Sequence, residues 1–132
     1  MNEANERRSA QRRRKVLLVD DNPDLRFLTR LNLDEAPCEI VGEAANGVEA
    51  IGAVESLRPD VVIMDMKMPL MDGLEATKQI KAKFPETEII IVSGSDDPAM
   101  MRRILAAGAT ASVDKTKLDD LADKIERRGT AR

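Results

Sequence analysis

Several polar side chains in this sequence stand where apolar runs end. Val16–Val19 runs into Asp20-Asp21, Val61–Met64 into Asp65, and Glu88–Val92 into Ser93; Asp114-Lys115 follows Thr110–Val113. Carboxylates gathered in one crevice repel one another and raise each other's pKa unless a cation joins them. Hard oxygen ligands with open positions suit Mg2+, which keeps several waters and bridges phosphoryl groups. A carboxylate screened by such an ion can attack phosphorus and become an acyl phosphate. Lys115 would pair with the phosphoryl oxygens, and Ser93 would donate a hydrogen bond to one of them. Alone, each residue has an ordinary reading: Asp65 a turn former, Asp20-Asp21 a helix cap, Ser93 a turn residue, Lys115 a surface lysine. Only a fold that brings the four positions together gives them a joint chemistry.

The elements that must do so are legible as patterns. Val61 to Met64 follows Pro59 and is short, apolar and rich in β-branched residues, as a buried strand is. Pro69 and Gly73 then punctuate a loop. Val16–Val19, Glu39–Ala44, Glu88–Val92 and the weaker Thr110–Val113 supply the remaining strands. Asn22-Pro23 opens a first helix carrying Leu25, Leu28 and Leu31 at helical spacing with Phe27 beside them, closed by Pro37. Asn46 caps a helix over 47–57 whose Val48, Ile51 and Val54 share a face. Asp72 caps a third helix, with Leu74, Thr77, Ile80 and Phe84 along one side. Asp97-Pro98 opens a fourth, through Ala107, with Gly108 as its left-handed stop. Thr116-x-x-Asp119 reads as a capping box for the last helix, with Leu118, Leu121 and Ile125 inward.

Strands alternating with helices, and fully apolar in the centre, predict a parallel sheet covered on both faces. The expected fold class is α/β, a flavodoxin-like (βα)5 three-layer sandwich with strand order 2-1-3-4-5. Right-handed crossovers would then align the carboxyl ends of all strands on one edge. Asp20, Asp21, Asp65, Ser93 and Lys115 meet there.

Composition narrows the alternatives. A chain of 132 residues suffices for one domain with a real core. The expected organisation is a basic tail over 1–14, a domain over 15–128 and a short tail over 129–132. A net charge of −3 gives no basic field for nucleic acid. No run approaches the ~18 apolar residues of a membrane span, and no apolar leader marks secretion. The absence of histidine excludes a histidine-based nucleophilic triad and histidine metal ligands. A single cysteine, Cys38, forms no internal disulfide and fits a reducing, cytoplasmic setting. Met64, Met66, Met68, Met71, Met100 and Met101 cluster near the active edge, as core filling or as an adaptable surface.

From about Lys15 to Arg127 the chain resembles the receiver domains of two-component response regulators, the CheY-like family. The motifs are Leu18-Val19-Asp20-Asp21-Asn22, Met64-Asp65-Met66-Lys67-Met68-Pro69 with Asp72-Gly73, Ser93-Gly94-Ser95, Ala107-Gly108-Ala109 and Asp114-Lys115. The resemblance implies that Asp65 accepts phosphate from a sensor histidine kinase or phosphotransfer protein. It implies Mg2+ held by Asp21, Asp65 and the backbone carbonyl of Lys67, with waters oriented partly by Asp20. Ser93 and Lys115 match the switch hydroxyl and the family lysine. The family signals to a downstream protein through helix 4, strand 5 and helix 5. Such a domain phosphorylates and dephosphorylates itself and is otherwise no enzyme.

Two departures stand out. The family's aromatic three residues before the lysine is Ser112 here, and the proline often following the lysine is Thr116. With no output domain after Arg128, a stand-alone regulator is expected; the alternative is the receiver part of a longer DNA-binding regulator. A haloacid-dehalogenase-type phosphatase would need a second Asp where Lys67 stands. A flavodoxin would need a Ser/Thr/Gly-rich phosphate loop where Asp20-Asp21 stand. Lys67 is also placed to overhang a phosphoryl group on Asp65 and slow its hydrolysis.

Overall fold

The computed structural model describes residues 13–94 and 97–130. The strands are β1 (Arg14–Val19), β2 (Cys38–Ala44), β3 (Val61–Asp65), β4 (Glu88–Ser93) and β5 (Ala111–Asp114). The helices are α1 (Pro23–Asn32), α2 (Gly47–Leu57), α3 (Gly73–Lys83), α4 (Pro98–Ala106) and α5 (Asp120–Thr130), with a 3-10 turn at Lys115–Lys117. All strand pairs are parallel and the order is β2-β1-β3-β4-β5, as the alternation predicts.

Side chains alternate across the sheet with a period of two. Leu17, Val19, Val62, Met64, Ile89 and Ile91 face one layer, packed with Ala50 and Val54 of α2, Ile80 of α3 and Ile104 of α4. Val16, Leu18, Val61, Ile63, Ile90 and Val92 face the other, packed with Leu121 and Ile125 of α5. Burial on both faces is why these strands are continuous apolar runs. Each fully buried Leu or Ile contributes roughly 1.5–3 kcal/mol relative to exposure, so the sheet is a rigid base for the loops at its edge.

Sequence cues locate most helix ends. Asn22, Asn46, Asp72 and Asp97 cap α1 to α4, each accepting a backbone N–H, and Gly108 takes φ +109° after α4. The last helix differs. Instead of a capping box, the Asp114 carboxylate accepts from both N and Oγ1 of Thr116 at 2.8 Å, and α5 begins only at Asp120. That short-range closure winds 115–117 into a 3-10 turn.

Other expectations shift. Arg14, assigned to the tail, begins β1, because its backbone pairs in register with Cys38 of β2; its guanidinium also meets Glu88 at the start of β4. Residues 1–12 of that tail, Ser95 and 131–132 lie outside the described residues; Gly129 and Thr130 continue α5. Val48 is exposed, and Ala50 takes its place in the core. The Phe27, Leu28 and Leu31 stripe of α1 also faces outward, while Thr29 is buried and satisfies its hydroxyl on the Leu25 carbonyl at 2.9 Å. Met64 and Met66 are core residues, and Met68, Met71 and Met100 pack half-buried against the core. Cys38 is buried and free, its thiol pKa pushed up by that burial against an opposing pull from Arg13.

Candidate functional site

Asp65 is the last residue of β3 and is 3% exposed. Asp20 and Asp21 follow the end of β1, its neighbour in the sheet, so the topology delivers three carboxylates to one point. One oxygen from each lies within 4.8 Å of the others. Asp20 is half-buried and Asp21 exposed, so the cluster opens to solvent on the Asp21 side.

Its electrostatics are unbalanced. Burial lifts the Asp20 carboxyl above its ordinary pKa of 3.8; the Asp65 and Asp21 charges add to the rise, and the Asn22 N–H and Lys115 oppose it. Oδ1 of Asp65 is buried without a hydrogen-bond donor among the described residues. The ammonium of Lys115 stands 3.1 Å from it, compensating by charge rather than by an aligned hydrogen bond. A buried carboxylate oxygen with a free lone pair, beside two further carboxylates, is what a hard divalent cation requires. Asp20, Asp21 and Asp65 therefore fit Mg2+.

Each loop has an identifiable tether. The Asp20 N–H donates to the Ala44 carbonyl at 3.0 Å, and Asp20 Oδ1 accepts from the Asn22 N–H at 2.9 Å. After β3, the Met66 N–H donates to Val92 at 3.0 Å and the Gly73 N–H returns to Met66 at 2.8 Å. A Cβ at Gly73 would lie 2.3 Å from the Asp65 carbonyl oxygen, so only glycine lets α3 start this close to Asp65. The tip carries Leu70 at φ +68° and is tied to α2 by the Gly47 N–H on the Met71 carbonyl at 3.1 Å. Lys67 lies on this loop with its side chain exposed.

Ser93 ends β4, buried, and pairs in register with Asp114 of β5, which places it one residue from Lys115 across the sheet. The fold thus brings together the strand ends that carry Asp20, Asp21, Asp65, Ser93 and Lys115. Ser112 is half-buried on β5 opposite Ile91, where an aromatic was the family expectation. The sequence reading missed Arg26, whose guanidinium donates to the Asp20 carbonyl. Its signal was the Arg26/Arg30 pair at i, i+4, which meets Glu43 of β2.

The comparisons identify the family and the fold. The family model "Response regulator receiver domain" matches residues 16–126. The chain is 44% identical over 97 residues to protein-glutamate methylesterase/protein-glutamine glutaminase 3 of Hahella chejuensis, covering 71% of this chain and 28% of that protein. It is 36% identical over 115 residues to the response regulator protein VraR of Staphylococcus aureus, covering 86% of this chain and 55% of VraR. The chain thus spans about half or less of these relatives' length. Among solved structures, the receiver domain of NarL from Mycobacterium tuberculosis superposes with a TM-score of 0.84 at 25% identity, over 91% of this chain and 98% of that one. The response regulator domain of Thermotoga maritima CheB gives 0.82 at 30% identity, over the same shares.

Proposed function

The chain belongs to the response regulator receiver domain family, and from that premise we propose that it is a phosphoacceptor switch whose acceptor is Asp65. The observation that carries this reading is the Asp65 carboxylate itself: buried, with Oδ1 lacking a hydrogen-bond donor among the described residues, beside Asp20, Asp21 and Lys115. Asp20, Asp21 and Asp65, with the backbone carbonyl of Lys67, would hold Mg2+. When bound, the ion screens the carboxylates and the incoming phosphoryl oxygens from each other. An Asp65 oxygen attacks phosphorus of a phosphohistidine on the donor protein. The P–O bond forms as the P–N bond breaks, and the histidine nitrogen leaves with the electron pair.

Lys115 and Ser93 then act on the product. The ammonium follows the charge from the carboxylate to a phosphoryl oxygen, and the Ser93 hydroxyl donates to another. Lys115 opens the turn after β5 and Ser93 is the last residue of β4, at the root of the loop that follows, so engaging one phosphoryl group draws both loops inward and alters the α4–β5–α5 face for a downstream protein. Moving such an equilibrium from 1:99 to 99:1 takes about 5.5 kcal/mol. With Ser112 in place of an aromatic, that relay runs through the loops and α4. The exposed Phe27, Leu28 and Leu31 of α1, the helix that follows Asp20-Asp21, offer the phosphodonor an apolar contact. A free, buried Cys38 suits a cytoplasmic setting. No helix among the described residues is long and apolar enough to cross a membrane.

Incubation with acetyl phosphate and Mg2+ tests the reading by intact mass. The wild type should gain one phosphoryl group, and neither Asp65→Asn nor the EDTA-treated protein should. A wild type of unchanged mass would end it.

The partial coverage of VraR supports a second reading, that this domain is the receiver part of a longer regulator, here taken as a DNA-binding one. The DNA-binding, LuxR-family regulator structure from Staphylococcus aureus, which superposes at a TM-score of 0.81 and 27% identity, also favours it. Reading the native gene through codon 132 distinguishes the two.

A further inference from the structure

Arg26 lies on the second turn of α1, six residues beyond Asp20, with its side chain 19% exposed. One arm of its guanidinium donates to the backbone carbonyl of Asp20. Its Nε donates to Oε1 of Glu43 at 2.7 Å, and Arg30 holds the other oxygen of the same carboxylate. The guanidinium is a planar fork, so seating Nε on Glu43 determines where the other arm points.

The Asp20 carbonyl belongs to the peptide joining Asp20 to Asp21. That peptide is planar, so fixing its oxygen fixes the direction in which the chain enters Asp21. Asp20 is thereby held at three points: its N–H on Ala44, its Oδ1 by Asn22, and its carbonyl by Arg26. We propose that Arg26 is a positioning residue for the divalent-cation site: braced against Glu43, it locks the Asp20–Asp21 peptide so that both carboxylates converge with Asp65. Glu43 has a second part in this device. By neutralising Arg26 it keeps the guanidinium from folding onto the acidic cluster and competing with the metal. The inference rests on the reading of the cluster as a Mg2+ site.

Charge and position pull in opposite directions here, which makes the device testable. Arg26 is a cation near three carboxylates, so its field alone disfavours Mg2+, and removing it would tighten binding. Loss of positioning loosens binding instead. Calorimetric titration of MgCl2 into metal-free wild type, Arg26→Gln and Arg26→Lys, at one ionic strength, reads the sign. Circular dichroism and melting in EDTA establish that each variant is folded. Both variants should bind Mg2+ about tenfold more weakly or worse, as outer-shell losses do. Arg26→Lys keeps the charge and most of the bulk but cannot span both acceptors with a rigid fork. It decides the matter if Arg26→Gln does not fold. Unchanged or tighter Mg2+ binding in a folded variant overturns the proposal, whereas a wild type that binds no Mg2+ overturns the metal-site reading beneath it.

Discussion

The ammonium of Lys115 stands 3.1 Å from Oδ1 of Asp65, a carboxylate that is 3% exposed and has no hydrogen-bond donor on that oxygen among the described residues. The pair is lopsided: the carboxylate is buried, while a third of the lysine side chain reaches solvent. On the proposed phosphoacceptor reading, Lys115 serves two states. In the resting protein it offsets a charge that burial makes costly. Once a phosphoryl group sits on Asp65, its flexible stem lets it follow the new negative charge.

Replacing Lys115 by Met should leave Asp65 buried without its counter-ion. The metal-free variant should lose about 1–3 kcal/mol, less than the 3–5 of a fully buried pair because water reaches the lysine. Mg2+ should return most of that loss by taking over the neutralisation, so added Mg2+ should stabilise the variant more than the wild type. Urea denaturation with EDTA and with Mg2+ measures both. Equal stabilisation of the two proteins would mean that Lys115 is not the resting counter-ion.

Gly73→Ala should distort the proposed acceptor, Asp65, itself. Its Cβ would lie 2.3 Å from the Asp65 carbonyl oxygen and 3.1 Å from Met66 Cα, both backbone atoms that cannot swing aside. Overpacking of this kind costs about 1–3 kcal/mol. Because the displaced backbone belongs to Asp65, phosphorylation by acetyl phosphate should fall along with stability. A variant as stable and as readily phosphorylated as the wild type would show that the loop yields freely.

Glu43 gives a pH signature. Hydrogen bonds from Arg30, then Arg26, hold its carboxyl below the ordinary value of 4.5. A depressed carboxyl pKa stabilises the fold above the unfolded value, and that stability is lost as pH falls through the folded one. The stability gap between wild type and Glu43→Gln should therefore be full above pH 4.5 and close below it. With a third of the side chain exposed, the gap should stay under about 1 kcal/mol. Urea titrations in EDTA across this range measure it; a gap that widens on acidification would contradict the assignment.

On the proposed reading, the apolar face of α1 should separate two routes of phosphorylation. Phe27 is 59% exposed and Leu31 53%, so Phe27→Asp and Leu31→Asp should barely change stability. Transfer from a phosphorylated histidine kinase should slow by about tenfold or more, as for loss of an interface anchor. Labelling by acetyl phosphate, which needs no docking, should keep its rate. Parallel time courses with the two donors test this, and equal slowing by both would move the defect from docking to the site.

How much of this was legible in the residues depends on the range of the forces involved. Strand and helix identities follow from local periodicity and from caps such as Asn46 and Asp72, whose bonds reach only three residues. The outward turn of Leu28 and Leu31 did not follow. Spacing shows that a helix has an apolar face but not whether the fold covers it. The start of α5 failed for a related reason: Thr116 could cap a helix or be captured by Asp114, and in the folded chain Asp114 captures it. Arg26 escaped notice because its partners, the Asp20 carbonyl and Glu43, are neighbours only after β2 pairs with β1.

By itself the sequence determined the strand register of the chemistry: carboxylates, hydroxyl and lysine each at the end of an apolar run, in a βα alternation that aligns those ends on one edge. Strand ends are set by local pattern and crossover handedness, both properties of the chain. Tertiary structure decided the environment of each group. It buried Asp65 while leaving Asp21 open, placed Lys115 within ion-pair distance, required glycine at position 73, and braced the Asp20–Asp21 peptide through Arg26 and Glu43. Burial, and contact between residues distant in sequence, arise only when the layers pack.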